Sequence, residues 1–188
     1  GQFALSSNTA DFNTSVGYES LRYNTSGEHN IAVGKSALYS NTTGPKNIAI
    51  GVRALTANTT GENNNAVGYQ ALDANTTGSE NCAFGQSALG ANTTADNNSA
   101  FGHNALVSNT TGADNVAVGS VCLDANTTGD YNTAVGRSAL GDNTTASSNT
   151  GIGYNALGAN TTGTENTATG SQSLDANTTG SYNTAFGT

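Results

Sequence analysis

The chain is expected to be all-β: a parallel β-solenoid or β-roll of about eleven coils, each seventeen residues long. Three observations predict this. Glycine returns at Gly17, Gly34, Gly51 and onward to Gly187, every seventeenth residue without a slip. The residues between glycines repeat as well, in a unit written N-x-A-φ-G-x-x-A-L-x-x-N-T-T-G-x-x, where φ is apolar. Asn, Thr, Ala and Gly supply 107 of the 188 residues, and only 10% are charged. Such a composition cannot build the thick aliphatic core of an α/β enzyme, and Gly, Asn and Thr rank low in helix propensity. Seventeen residues are also too few for a helix-turn-helix repeat of about 34. They suit one solenoid coil with two short strands and two turns, stacked on the next at about 4.8 Å, so that eleven coils make a rod on the order of 50 Å long.

The repeat runs from one end of the chain to the other, with no insertion between Gly17 and Gly187 and no change of composition. A single domain over 1–188 is therefore expected. Neither end shows a cap. Bare solenoid ends are sticky, which predicts that the segment continues into more chain or stacks end to end.

The first strand of each coil is read as N-x-A-φ-G. Residues two apart share a face. Val67 and its equivalents, with Ile31, Ile48, Cys82 and Val116 two places earlier, are assigned to the interior. The other face carries Ala then Gly with few exceptions, as at Ala49 and Gly51, Ala66 and Gly68, and Ala83 and Gly85. A solvent-facing position would drift among polar residues, and this one does not. Uniformly tiny side chains imply close approach to another backbone, either the far wall of the same coil or a second subunit. These six residues are the candidate association face.

The second strand is placed at Ala71–Ala74, with Leu72 inward. The leucine column (Leu38, Leu55, Leu72, Leu89 and equivalents) would fill the coil. The N-T-T-G turn follows, and its glycine is the natural residue for a positive φ. Asparagine recurs at two corners, Asn30, Asn47, Asn64 and Asn81 at one and Asn58, Asn75 and Asn92 at the other. Stacked coil on coil, these become amide ladders.

Net charge is −8, and the five cations form no patch, so a nucleic-acid partner is not expected. No run approaches the roughly 20 apolar residues of a membrane span. Cys82 and Cys122 lie more than two coils apart and are read as packing thiols, not a disulfide. His29 and His103 occupy different repeat positions without a second ligand nearby, so no metal or other cofactor is expected. Asp73, Asp124 and Asp175 share a column but lack the glycine-rich calcium pattern. The corner Asn-Thr-Thr matches the N-glycosylation acceptor, but glycans on every coil would crowd, and the ladder is the preferred reading. Adjacent threonines point to opposite sides, which disfavours an ice-binding face. Tyr18, Tyr69 and Tyr154 share an outward position and are candidates for carbohydrate contact. An enzyme would be expected to interrupt the repeat with a loop, and none is inserted.

The segments Asn30-Ile31-Ala32-Val33-Gly34 and Asn47-Ile48-Ala49-Ile50-Gly51, each soon followed by Ala-Leu, resemble the head repeats of trimeric autotransporter adhesins. The fuller form, Asn-Thr-Ala-Val-Gly-x-x-Ala-Leu with Asn-Thr-Thr-Gly, is similar to repeat shafts of phage tail-fibre-like and bacterial surface proteins. The resemblance covers nearly the whole chain, although adhesin-head coils are shorter than seventeen residues. It implies a left-handed coil, a homotrimer with the small-residue face at its axis, and an extracellular place on a cell surface, secreted filament or virion. Together these readings describe a structural, non-enzymatic segment of a fibre, a shaft or an adhesive head, whose partner is itself. A surface module for host glycans, or an ice-binding solenoid, is the alternative.

Overall fold

The computed structural model describes residues 1–188, and its architecture is a single parallel β-solenoid. Each coil contributes one strand of three residues. In chain order these are β1 (Thr14–Val16), β2 (Ile31–Val33), β3 (Ile48–Ile50), β4 (Asn65–Val67), β5 (Cys82–Phe84), β6 (Ser99–Phe101), β7 (Val116–Val118), β8 (Thr133–Val135), β9 (Thr150–Ile152), β10 (Thr167–Thr169) and β11 (Thr184–Phe186). They form one eleven-stranded sheet in sequence order. Register is seventeen residues throughout, Ala66 lying beside Ala83 and Val67 beside Phe84.

The second strand expected at Ala71–Ala74 does not form; those residues are turns. Coil-to-coil bonding continues there all the same. Leu72 N–H donates to Ala88 O at 3.0 Å, and Thr76 N–H to Thr93 O at 2.8 Å. Of 120 backbone hydrogen bonds, only 20 lie within the strands, so the turns do most of the stacking.

The turns close because residues that seldom do so adopt the αL conformation. Each regular coil has three non-glycine residues at positive φ, for example Gln70 at 56°, Leu72 at 52° and Glu80 at 60°. An αL residue costs roughly 1–2 kcal/mol. Full burial of a leucine returns roughly 1.5–3 kcal/mol, enough to hold it there. Leu72 is wholly buried, and its carbonyl accepts from Asn75 N–H at 3.2 Å. The N-T-T-G glycine was expected to supply positive φ, but it does not; the glycines that do are Gly17, Gly34 and the rest of their column. The turn glycine is small for another reason. A Cβ on Gly78 would sit 2.4 Å from Ala95 O and 2.5 Å from Asn75 Oδ1.

The interior is narrow and built of small side chains. The core is a column of leucines between two columns of alanines, with Cys122 replacing one alanine. Ala32, Ala49, Ala66 and Ala83 are completely buried, whereas Ile50, Phe84, Phe101 and Ile152 are about 40% exposed. The two faces of the strand are therefore the reverse of the sequence assignment. Gly151, which takes the alanine position in its coil, shows why. A Cβ there lies 3.0 Å from Ala156 O, on the far wall of the same coil, and 3.3 Å from the Leu140 side chain. Valine or phenylalanine would not fit, so alternation sends the larger residues outward.

Two buried asparagine columns complete the wall. Asn75 Nδ2 donates to Asn58 Oδ1 at 2.9 Å and to Gly78 O at 2.9 Å. Asn64 Nδ2 donates to the same carbonyl at 2.8 Å, and Asn64 N–H to Asn47 Oδ1 at 3.0 Å. No buried side-chain polar atom lacks a partner. Replacing Asn75 by Ala strands Asn58 Oδ1 and weakens the hold on Gly78 O, at a cost of about 1–3 kcal/mol. Replacing the exposed Thr77 by Ala is expected to stay within about 0.5 kcal/mol. Urea denaturation of the two variants checks the contrast. Gly68→Ala, whose Cβ meets Gly85 O at 2.4 Å and whose φ is 145°, is expected to destabilise more than Gly78→Ala. Two coils already carry alanine at the Gly78 position, Ala95 and Ala146.

Candidate functional site

With the alanines inside, the outward face of the sheet becomes the feature to explain. It consists of two columns. One is the φ column: Val16, Val33, Ile50, Val67, Phe84, Phe101, Val118, Val135, Ile152, Thr169 and Phe186. The other, two residues earlier in each strand, runs from Thr14 to Thr184 through Ile31, Ile48, Asn65, Cys82, Ser99 and Val116. Neither column holds a charged residue, in a chain with thirteen acids and five bases. Parallel pairing at constant register lines the side chains up strand by strand. Phe84 and Phe101 stack with ring centroids 5.2 Å apart and planes within 7°. The face is most apolar over β2 to β7 and richer in threonine from β8 to β11.

The alanines of the sequence-predicted association face are not available to a partner, while its glycines are half-buried. Ala49, Ala66 and Ala83 are fully buried within their own coils. Gly51, Gly68 and Gly85 stack glycine on glycine, each leaving no space for a Cβ before the next coil's backbone. Of the two partners the small residues allowed, the structure has the far wall of the same chain. Leu38, Leu55, Leu72 and Leu89 are buried in one cluster. Asn30, Asn47, Asn64 and Asn81 form one ladder, and Asn58, Asn75 and Asn92 the other. Sequence reasoning passed over the apolar face as a surface, although the column from Thr14 to Thr184 drifts among Ile, Asn, Cys, Ser, Val and Thr. That drift is the signature of an outward position.

The weaker candidates are scattered. Tyr18, Tyr69 and Tyr154 are exposed but stand three and five coils apart. Tyr18 has an edge-on neighbour in Phe3, with ring centroids 6.3 Å apart. His29 stacks on Phe12 at 4.9 Å. The first threonine of every corner but the last donates its hydroxyl to the next coil, Thr76 Oγ1 to Thr93 O at 3.0 Å, and is engaged in the fold. Both cysteines are free. Burial pushes the Cys122 thiol up to about 12 and raises that of Cys82, which lies on the outward face.

Compared with family models, curated proteins and solved structures, the chain finds no match. The resemblance to adhesin heads and tail-fibre shafts rests on the motif and on a β-roll-like fold.

A groove of about 400 Å³ runs along another side, between Asp124, Asp142, Asp175, Ser138 and Asn155, where Gly141 and Gly158 leave the wall short of side chains. Burial raises the Asp124 carboxyl above the ordinary aspartate value, and the charge of Asp142 adds to this. The folded chain thus holds that proton more tightly than the unfolded chain. The stabilising contribution is complete below the unfolded pKa and is lost as pH rises through the folded one. Asp124→Asn is expected to raise the melting temperature at neutral pH. The gain should vanish at a pH low enough to protonate Asp124 in the parent, which thermal melts across that range would show.

Proposed function

We propose that this chain is a structural segment of an extracellular fibre, a shaft or adhesive head. It acts without catalysis and assembles with copies of itself through the outward apolar sheet face. The observation that carries this reading is the absence of any charge on two eleven-residue columns that place valine, isoleucine and phenylalanine in water. Monomeric soluble proteins rarely leave so continuous an apolar surface open. An uncharged face offers nothing to a charged partner. A second copy presents columns of the same strand spacing, so ridges and gaps can match along the whole rod. Sheet-on-sheet burial of this kind is a standard way to cover such a face. Three copies around one axis are the assembly that the adhesin-head resemblance implies, with both columns of the outward face turned to the axis where the alanines had been expected. The mechanism of the assembled rod is mechanical: hydrogen bonds run from coil to coil without interruption, leaving few loops for a protease.

The test is the mass of the assembly. Light scattering is expected to give three times the 18.7 kDa chain, and Phe84→Asp with Phe101→Asp is expected to give a monomer with an unchanged strand signal by circular dichroism. Cys82 supplies an independent reading. Copies aligned in register bring their Cys82 thiols together at the axis, so mild oxidation is expected to yield a covalent pair on a non-reducing gel, abolished by Cys82→Ser and untouched by Cys122→Ser. A wild-type chain that stays monomeric at high concentration would falsify the proposal.

A further inference from the structure

The corner sequence Asn-Thr-Thr, Asn-Thr-Ser at Asn24, repeats an N-glycan acceptor ten times, from Asn24 to Asn177. Two further acceptor sequences fall outside the corners, Asn13-Thr14-Ser15 and Asn97-Asn98-Ser99. Glycan transfer forms a bond from the asparagine Nδ2 to C1 of a sugar carried on a lipid diphosphate. The C1–O bond breaks, the diphosphate leaves with the electron pair, and one amide proton is lost to a base. The product amide keeps a single N–H and must have open space beside it.

At the corners both amide protons are spent inside the wall. Asn75 Nδ2 donates to Asn58 Oδ1 and Gly78 O, both at 2.9 Å, and Asn75 has no exposed surface. The same pair of bonds recurs at every corner through Asn177, whose Nδ2 donates to Asn160 Oδ1 and Gly180 O at 3.0 Å. Asn13 is half-buried, with its Nδ2 on Gly27 O at 2.8 Å. Asn97 differs. Its side chain is exposed, and only its backbone N–H is engaged, on Ser79 O at 3.1 Å.

We propose that Asn97 is the one position at which this rod carries an N-linked glycan, and that a glycan on any corner asparagine excludes the folded coil. The corner asparagines are glycan acceptors only in the unfolded chain. Modification there removes a donor from a dry ladder and drives a sugar into a wall where a Cβ added to Gly78 already comes within 2.5 Å of Asn75 Oδ1.

The experiment is secretion of the full chain from a eukaryotic cell, separation of the protease-resistant folded fraction, and glycan mapping by mass spectrometry. The folded fraction is expected to carry a glycan at Asn97 and none at the corners, with corner glycans confined to chains that did not fold. Modification during synthesis can leave no folded fraction at all, which is the second half of the proposal in action. A second variant keeps the first half testable. The third residue of each corner sequence, Thr77 and its equivalents, is exposed and makes no side-chain hydrogen bond. Changing all ten to alanine removes the acceptor motif and leaves every ladder asparagine in place. That variant is expected to fold in the same cell with one glycan, lost on Asn97→Gln. Corner glycans on folded, protease-resistant chains would overturn the exclusion, and a folded variant unmodified at Asn97 would overturn the site assignment.

Discussion

One carbonyl per coil holds the two corners of this solenoid together. Gly78 O receives an amide proton from Asn75, three residues before it, and another from Asn64, fourteen before it. Each asparagine is also tied to its counterpart in the neighbouring coil. The distance between corners and the rise between coils are therefore set by the same few atoms. An inserted or deleted residue would pull one amide out of this arrangement and leave a buried polar group without a partner, at roughly 1–3 kcal/mol per coil. The exact seventeen-residue period is the visible consequence. A surface loop tolerates added length, since each doubling costs only about 0.6 kcal/mol; a wall of paired amides does not.

The same closure explains the conformations that look least natural for the sequence. A path this short must reverse direction several times, and each coil does so with Gln70, Leu72 and Glu80 or their equivalents at positive φ. Nothing about leucine favours that conformation. It is imposed because Leu72 is the only large apolar side chain in its coil's interior, and because its N–H and C=O are both taken, by Ala88 and Asn75. Tertiary fixation overrides local preference here, and the override recurs in coil after coil because the stacking demand is identical in each.

Period, parallel register, the inward leucines and the two asparagine columns were legible in the sequence, because each is a statement about what repeats. The inside of the strand was not. Alternation shows that Val67 and Asn65 share one face and Ala66 the other, but parity alone does not say which face is buried. The usual rule, large apolar residues inside, gives the wrong answer for a coil whose opposite wall would lie 3.0 Å from a Cβ placed on Gly151. That distance is a property of closure, not of any local segment. The missing second strand and the non-positive φ of the N-T-T-G glycine have the same origin. Both were read from residue preference, while the backbone there is governed by the carbonyl of the next coil.

The outcome is a protein whose polar amides are dry and whose valines, isoleucines and phenylalanines are wet. This separates two things that coincide in most domains. Folding is complete within one chain, because the leucine, alanine and asparagine columns satisfy one another without outside help. Assembly, on the reading proposed above, is left to a surface that contributes nothing to the interior. Charges introduced at Phe84 and Phe101 therefore act on association alone, whereas changes at Asn75 or Gly68 act on the coil. A design that places its association surface on one face of a continuous sheet can also grade that surface along the rod, as the change from isoleucine and valine in β2 and β3 to threonine in β8 to β10 does, without altering a single contact inside the coil.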